Sequence, residues 1–394
     1  MKILLVGDYP NDPRLGSAKV PHKLCEEFRA LGHRCDTLFA EELGDFPRQP
    51  RLRQGLRPIA AARAIGRAFR ERGPYDVVDV ASAEGFVFGL RREVGRYPGV
   101  AFVSRSNGLE HLNYRRMLDD HRAGLLRKPW TRRLWYPAVR LTQVEGAARL
   151  ADKLILLNEG DRAYALRRGW KQERDISVVP HGISERFLTG GSRGWEGRGG
   201  GILFCGSWDN TKGIPYLTSA FSRLVETGPP ARMTLLGGGV PAEQVLSAFP
   251  ERARPFVTVL PRVAEEEVMR HFRRHDLLVF CSTYEGFGMV VVEAMSQGLP
   301  VVATPVGCTT TLVKDSETGL VVPPRDAAAL AAALRRLLDD GDLRRRVADN
   351  AARLVNDMTW RASGAPRTRA RCVQAVWNGQ RPLPCGMRAT RWTG

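Results

Sequence analysis

Two glutamates with seven residues between them, Glu285 and Glu293, lie in the stretch LLVFCSTYEGFGMVVVEAMSQGLPVVATP, residues 277–305. The apolar run before them reads as a buried strand ending at Ser282. A polar loop follows with Glu285, Gly286 and Gly288, and a helix starting near Phe287 carries Glu293 in its second turn until Gly298 ends it. The start of such a helix offers backbone N–H groups with no intrahelical acceptor and about half a positive charge, which suits a phosphate. Gly286 and Gly288 let the backbone come close to that phosphate. A carboxylate two turns along can accept both hydroxyls of a vicinal diol, so Glu293 suits a ribose. The plainer alternative is a strand–turn–helix unit whose Glu285 only caps the helix. The coincidence of two glycines, two carboxylates and a following Gly-x-Pro-Val strand favours the phosphate and diol reading.

What must position these groups is legible in the remaining pattern. A chain of 394 residues with 43% apolar content fits two domains, each with its own core. Apolar, β-branched runs recur at Lys2–Val6, Arg34–Phe39, Asp76–Val80, Gly99–Ser104, Lys153–Leu157 and Ile176–Pro180. They recur again at Gly201–Cys205, Met233–Leu236, Val257–Leu260, Leu277–Cys281, Pro300–Ala303 and Gly319–Val322, with helical spacing between them. Such alternation predicts an α/β protein with parallel sheets covered by helices on both faces. The glycine-rich stretch Leu188–Gly201 reads as a linker. It divides the chain into a first Rossmann-like domain, 1–187, and a second, 202–360. Both begin with a strand running into glycine, KILLVG and ILFCG. Two such domains facing each other leave a cleft between their strand C-termini, where ligands bind in folds of this kind.

Composition narrows the function classes. The seven cysteines form no CxxC pair, which argues against a disulfide framework or zinc knuckle and for a reducing, cytoplasmic setting. The apolar run of MKILLVGDYP is too short for a secretory signal, and no run approaches the roughly 20 apolar residues of a membrane span. The net charge of +18 implies an anionic partner. Residues 361–394 contribute seven arginines and no acid to it, and they form a basic tail with no clear period and no assigned role. A nucleic-acid partner is not expected, because the basic residues are spread out and no finger, RNP or helix-turn-helix pattern is present.

Glu285–Glu293, EGFGMVVVE, resembles the E-x7-E motif of retaining glycosyltransferases of family 4, which have the GT-B fold of two facing Rossmann-like domains. FCGSWDNTKGIPYLTSAF resembles that family's first second-domain strand and KG loop, TLLGGG its next strand, and GLPVVATPVGCTTTLVKDSETGLVVPPRDAAALAAAL its closing run. SVVPHGISERF resembles the stretch before the linker. The resemblance implies hexosyl transfer, with retention, from a nucleoside diphosphate sugar to a hydroxyl of a glycan or lipid-linked acceptor, as in polysaccharide or cell-envelope synthesis. It implies front-face displacement, in which the leaving phosphate itself takes the acceptor proton. It also implies roles: Glu293 on the ribose, Glu285 on the sugar hydroxyls, the backbone at Phe287, Gly288 and Met289 on the diphosphate, and Lys212 neutralising the leaving phosphate. A fixed cation there helps most where charge grows in the transition state. No metal and no cofactor is expected.

Two positions depart from the family's pattern. Its usual arginine after the glycine of the first second-domain strand is replaced, since Gly206 is followed by Ser207; Arg262 is the expected substitute. In SRSNGLEH, Asn107 stands where the family often has histidine, and it can hydrogen-bond a sugar hydroxyl but cannot take a proton. These departures keep open a second reading, a sugar-nucleotide-binding protein of the same fold with weakened catalysis. Gly16 resembles the family's first-domain glycine loop. His111 reads as a surface or acceptor-side histidine and His181 as structural. Asp340-Gly341-Asp342 reads as a loop, not a metal site. Pro58–Arg72, with Ile59, Ala62, Ile65 and Phe69 on one helical face, and the arginine- and tryptophan-rich Tyr114–Arg140 suggest docking on the inner face of an anionic membrane. The alternative is core residues flanked by solvated arginines.

Overall fold

The computed structural model describes residues 1–12, 16–44, 49–125, 130–189, 195, 197–229 and 231–360. All twelve expected strands form, with ends displaced by at most two residues. The first six are β1 (Lys2–Val6), β2 (Arg34–Leu38), β3 (Val77–Ala81), β4 (Ala101–Arg105), β5 (Lys153–Leu156) and β6 (Ile176–Val178). The second six are β7 (Ile202–Cys205), β8 (Met233–Leu236), β9 (Val257–Leu260), β10 (Leu277–Phe280), β11 (Val301–Ala303) and β12 (Leu320–Val321). They build two parallel sheets, ordered β2-β1-β3-β4-β5-β6 and β12-β11-β10-β7-β8-β9.

Both faces of each sheet are covered, which is why β1, β7, β10 and β11 are apolar at nearly every position. Along β1, Leu4 and Val6 point into one core with Val78 and Phe102, while Ile3 and Leu5 point into the opposite one with Val77 and Val103. In the second sheet, Ile202, Phe204, Leu277 and Val279 face one side, and Leu203, Leu278, Phe280 and Val301 the other. In each sheet the strand order reverses once, between β1 and β3 and between β7 and β10. The loops leaving strands at such a reversal diverge to opposite faces and leave a crevice between them. The loops after β7 and β10 are the ones that carry Lys212 and Glu285.

The chain crosses between the domains more than once. Helix Glu185–Thr189 takes up the first two residues of the expected linker, and its Phe187 packs in the second domain's core. After the last described helix, Gly341–Val355, the chain returns: Thr359 bridges Ile183, and Trp360 is buried with Val179 in the first domain's core. The expectations for the basic tail fall on 361–394, outside the described residues.

The surface reading of Pro58–Arg72 is corrected in part. On helix Pro50–Arg72, Ala61, Ala62, Ala64, Ile65 and Ala68 are buried core, with Phe69 packed against them. Arg63, Arg67 and Arg70 are exposed. Among the described residues no helix is long and apolar enough to cross a membrane.

Candidate functional site

A cavity of about 680 Å³ opens between the carboxyl ends of the two sheets. The first domain contributes Gly16, Lys19, Asn107 and His181 to its walls. The second contributes Gly206, Ser207, Lys212, Glu285, Phe287, Gly288, Met289 and Glu293. Residues 190 positions apart in sequence, and more, therefore line one space.

The second-domain wall is built from two loops tied together. After β7, Asp209 accepts a hydrogen bond from the Thr211 amide at 2.8 Å and closes a short turn, Asn210–Lys212. The Thr283 amide then donates to the Thr211 carbonyl at 2.8 Å, which joins this loop to the one after β10. The result brings Lys212 Nζ to 2.6 Å from Glu285 Oε2. Ser207, which stands where the resemblance leads one to expect arginine, donates from Oγ to Asp209 Oδ2 at 2.6 Å. Arg262, the expected substitute, is not in the cavity wall. Its side chain lies on the Gly237–Gly239 loop, with Nη2 only 2.8 Å from where a Cβ at Gly239 would stand.

Helix Met289–Ser296 begins at Gly288, which has φ +92° and so occupies the left-handed region that favours glycine. The Cys308 amide donates to the Phe287 carbonyl at 2.7 Å and pins the turn. Gly288, Met289 and Val290, at the start of this helix where amides lack intrahelical acceptors, line the cavity beside the Glu285–Lys212 pair. Gly286, expected at the phosphate, is not in the cavity wall. A Cβ there would stand 2.0 Å from the Asn107 carbonyl oxygen and 2.9 Å from Gly108 Cα. Its glycine is required by the other domain's backbone, and its carbonyl accepts from Asn158 Nδ2 at 2.7 Å.

Glu293 meets a partner that sequence reading missed. Lys19 Nζ, on helix Gly16–Ala30 of the first domain, lies 2.8 Å from Glu293 Oε1 and 2.9 Å from Glu265 Oε1. Burial raises the Glu293 carboxyl above its ordinary range, with Lys19 opposing. Burial would depress the Lys19 ammonium, but the charges of Glu293 and Glu265 outweigh that and hold it high. The only signal in the sequence was a lysine three places after Gly16. Further contacts join the domains around the cavity. Tyr284 Oη donates to the Leu109 carbonyl at 3.0 Å, and Arg325 Nη2 lies 2.8 Å from Asp120 Oδ1.

Asn107 faces the cavity with a buried Oδ1 that has no hydrogen-bond partner. His181 also lines it, its ring edge-on to Phe287 and tilted against Trp360. His111 does not reach the cavity and is not a surface residue. It is buried against Trp170 and Tyr164, and burial depresses its imidazole to about 4. Within Tyr114–Arg140, two arginines serve ion pairs inside the fold. Arg140 bridges Glu84 and Glu110, each within 2.8 Å, and Arg116 is buried beside Asp120. Asp340 accepts from the Leu343 amide as the cap of helix Gly341–Val355. No group of three metal-ligating side chains comes together among the described residues.

Residues 193–354 match the family model "Glycosyl transferases group 1". The chain is 35% identical over 157 residues to alpha-D-kanosaminyltransferase of Streptomyces kanamyceticus, covering 39% of this chain and 40% of that one. It is 30% identical over 243 residues to D-inositol 3-phosphate glycosyltransferase of Streptomyces avermitilis, covering 57% and 52%. The chain thus spans about half the length of the curated relatives it matches. Among solved structures, sucrose-phosphate synthase from Thermosynechococcus elongatus superposes with a TM-score of 0.74 at 21% identity, covering 96% of this chain and 100% of that one. HepE of Anabaena, in complex with UDP and glucose, gives 0.69 at 18%, covering 95% and 100%. Residues 193–354 therefore match the glycosyl transferases of group 1, and the chain as a whole has the GT-B fold.

Proposed function

We propose that the protein transfers a hexosyl group from a nucleoside diphosphate sugar to a hydroxyl acceptor with retention of configuration. The observation that carries this reading is the joint wall of the cavity: a helix N-terminus, a lysine–glutamate pair and a buried carboxylate, set within one space of about 680 Å³. In this reading the diphosphate lies at the start of helix Met289–Ser296, where the N–H groups and the dipole favour negative charge. Lys212 meets the leaving phosphate as charge builds on it, and Glu285, which Lys212 holds in place, takes the hydroxyls of the sugar. Glu293 receives the ribose. Asn107 Oδ1, buried without a partner, accepts from the transferring sugar across the cleft. A buried acceptor left open in this way calls for a ligand donor.

Asn107 cannot act as a base, so the proton of the acceptor hydroxyl passes to the leaving phosphate on the same face as the bond that breaks. The sugar–phosphate bond breaks, the sugar–acceptor bond forms, and the nucleoside diphosphate departs. The complex of HepE with UDP-glucose, on the same fold, supports a nucleotide-sugar donor. The test is slow donor hydrolysis without acceptor. Free sugar should be released by the wild type and lost in Glu285→Ala while nucleotide binding persists. Binding without any sugar release would favour the binding-protein reading.

A further inference from the structure

Glu293 and Lys19 belong to different domains and are separated by 274 positions, yet they meet at 2.8 Å inside the donor cavity. Only 14% of the lysine side chain and 12% of the glutamate side chain are exposed. Glu265, from helix Glu265–Arg274, completes the arrangement from a third element. A lysine ammonium has three donors. Two are directed at Glu265 Oε1 and Glu293 Oε1, which leaves one for a further acceptor beside Glu293. The aromatic ring of Phe187 lies 5.4 Å from the ammonium.

We propose that Lys19 is a positioning residue that aims Glu293 at the ribose diol and makes ribose recognition depend on closure of the two domains. This deepens the nucleotide-sugar reading and rests on it. A buried carboxylate without a counter-charge tends to take up a proton. A protonated Glu293 would offer one fewer acceptor to a diol that must donate two hydrogens. Lys19 supplies the counter-charge from the opposite domain, so Glu293 stays a full acceptor while helix Gly16–Ala30 sits against helix Met289–Ser296 and buries it. Lys19, also held by Glu265, engages Glu293 through Oε1 and leaves Oε2 for the diol. Donor binding and domain closure thereby share one contact, and by linkage each strengthens the other.

The experiment is calorimetric titration with UDP, GDP and ADP, and with the 2′,3′-dideoxy form of whichever binds wild type best. Lys19→Met should weaken the ribonucleotide roughly tenfold or more, as for a lost charge-assisted contact, and the dideoxy form by less than about twofold. Lys19→Arg should restore most of the loss. In a Glu293→Gln background, Lys19→Met should have little further effect, because the two act as one unit. Equal weakening of both nucleotides, or no weakening, would overturn the proposal while leaving the donor site intact. Failure of folded wild type to bind any of the three would instead overturn the donor-site reading, and this proposal with it.

Discussion

Gly286→Ala tests the closed arrangement without removing any side chain. The added Cβ would stand 2.0 Å from the Asn107 carbonyl oxygen and 2.6 Å from its carbon. Ordinary contact begins near 3.4 Å, so the two backbones must separate by about 1.4 Å. Gly286 is not among the glycines with positive φ, so alanine is otherwise compatible with its backbone. Overpacking of this kind typically costs about 1–3 kcal/mol. Here the strain lies between two domains, and opening relieves it without unfolding either core. The cost therefore falls on the closed state, which should lose about 5- to 150-fold against the open one. Opening stretches the 2.7 Å bond from Asn158 to the Gly286 carbonyl and the 2.8 Å contact between Lys19 and Glu293. We expect weaker nucleotide binding, slower donor turnover and a larger radius of gyration by X-ray scattering, with a nearly unchanged melting temperature. Gly341→Ala, whose Cβ would meet nothing within 4 Å, is the control. Wild-type turnover and radius in Gly286→Ala would show that the Gly286 and Asn107 backbones do not meet in the working enzyme.

Two further expectations concern other parts of the molecule. Burial pushes the Asp161 carboxyl up to about 7, with hydrogen bonds from the Leu109 amide and from Asn158 opposing. A carboxyl raised in the folded state contributes stability that is complete below its ordinary 3.8 and is lost as pH rises through about 7. Holding it at about 7 costs up to roughly 4 kcal/mol above neutral pH. Asp161→Asn should therefore exceed wild type in stability at pH 8.5, with the gap closing by pH 4 in denaturant titrations; a pH-independent gap would contradict this. At the surface, Leu52, Leu56 and Leu134 are exposed, as are Arg51, Arg53 and Arg133. If this face docks on anionic lipid, vesicles of anionic phospholipid at low salt should pellet the protein, and Leu134→Asp should release it. Wild type left in the supernatant would dispose of membrane docking.

The parts legible in the sequence were those whose partners lie nearby in the chain. Apolar runs of four to six residues between helical segments mark buried parallel strands, because such strands cannot alternate. The Glu285–Glu293 spacing was readable because both glutamates belong to one strand–turn–helix unit. Lys19 was not readable, since its role depends on a glutamate 274 positions away in the other domain. The sequence marks Gly286 as a required glycine without showing that its neighbour is the Asn107–Gly108 backbone and not a ligand. For His111 the sequence offers only its distance from Asn107 along the chain, while its burial is decided by Trp170 and Tyr164. Arg140 counted as surface charge because its partners, Glu84 and Glu110, lie on other elements. Charge runs are read locally and neutralised at long range.

If the cavity between the sheets binds a nucleoside diphosphate sugar through Glu285, Lys212 and Glu293, thermal unfolding with UDP, GDP and ADP sugars will register it. A ligand at a hundredfold over its dissociation constant should stabilise the fold by about 2.7 kcal/mol. One of these donors should raise the stability of wild type to this extent and fail to do so in Glu293→Ala. No rise with any donor, or the same rise in both proteins, would rule out nucleotide-sugar binding through Glu293.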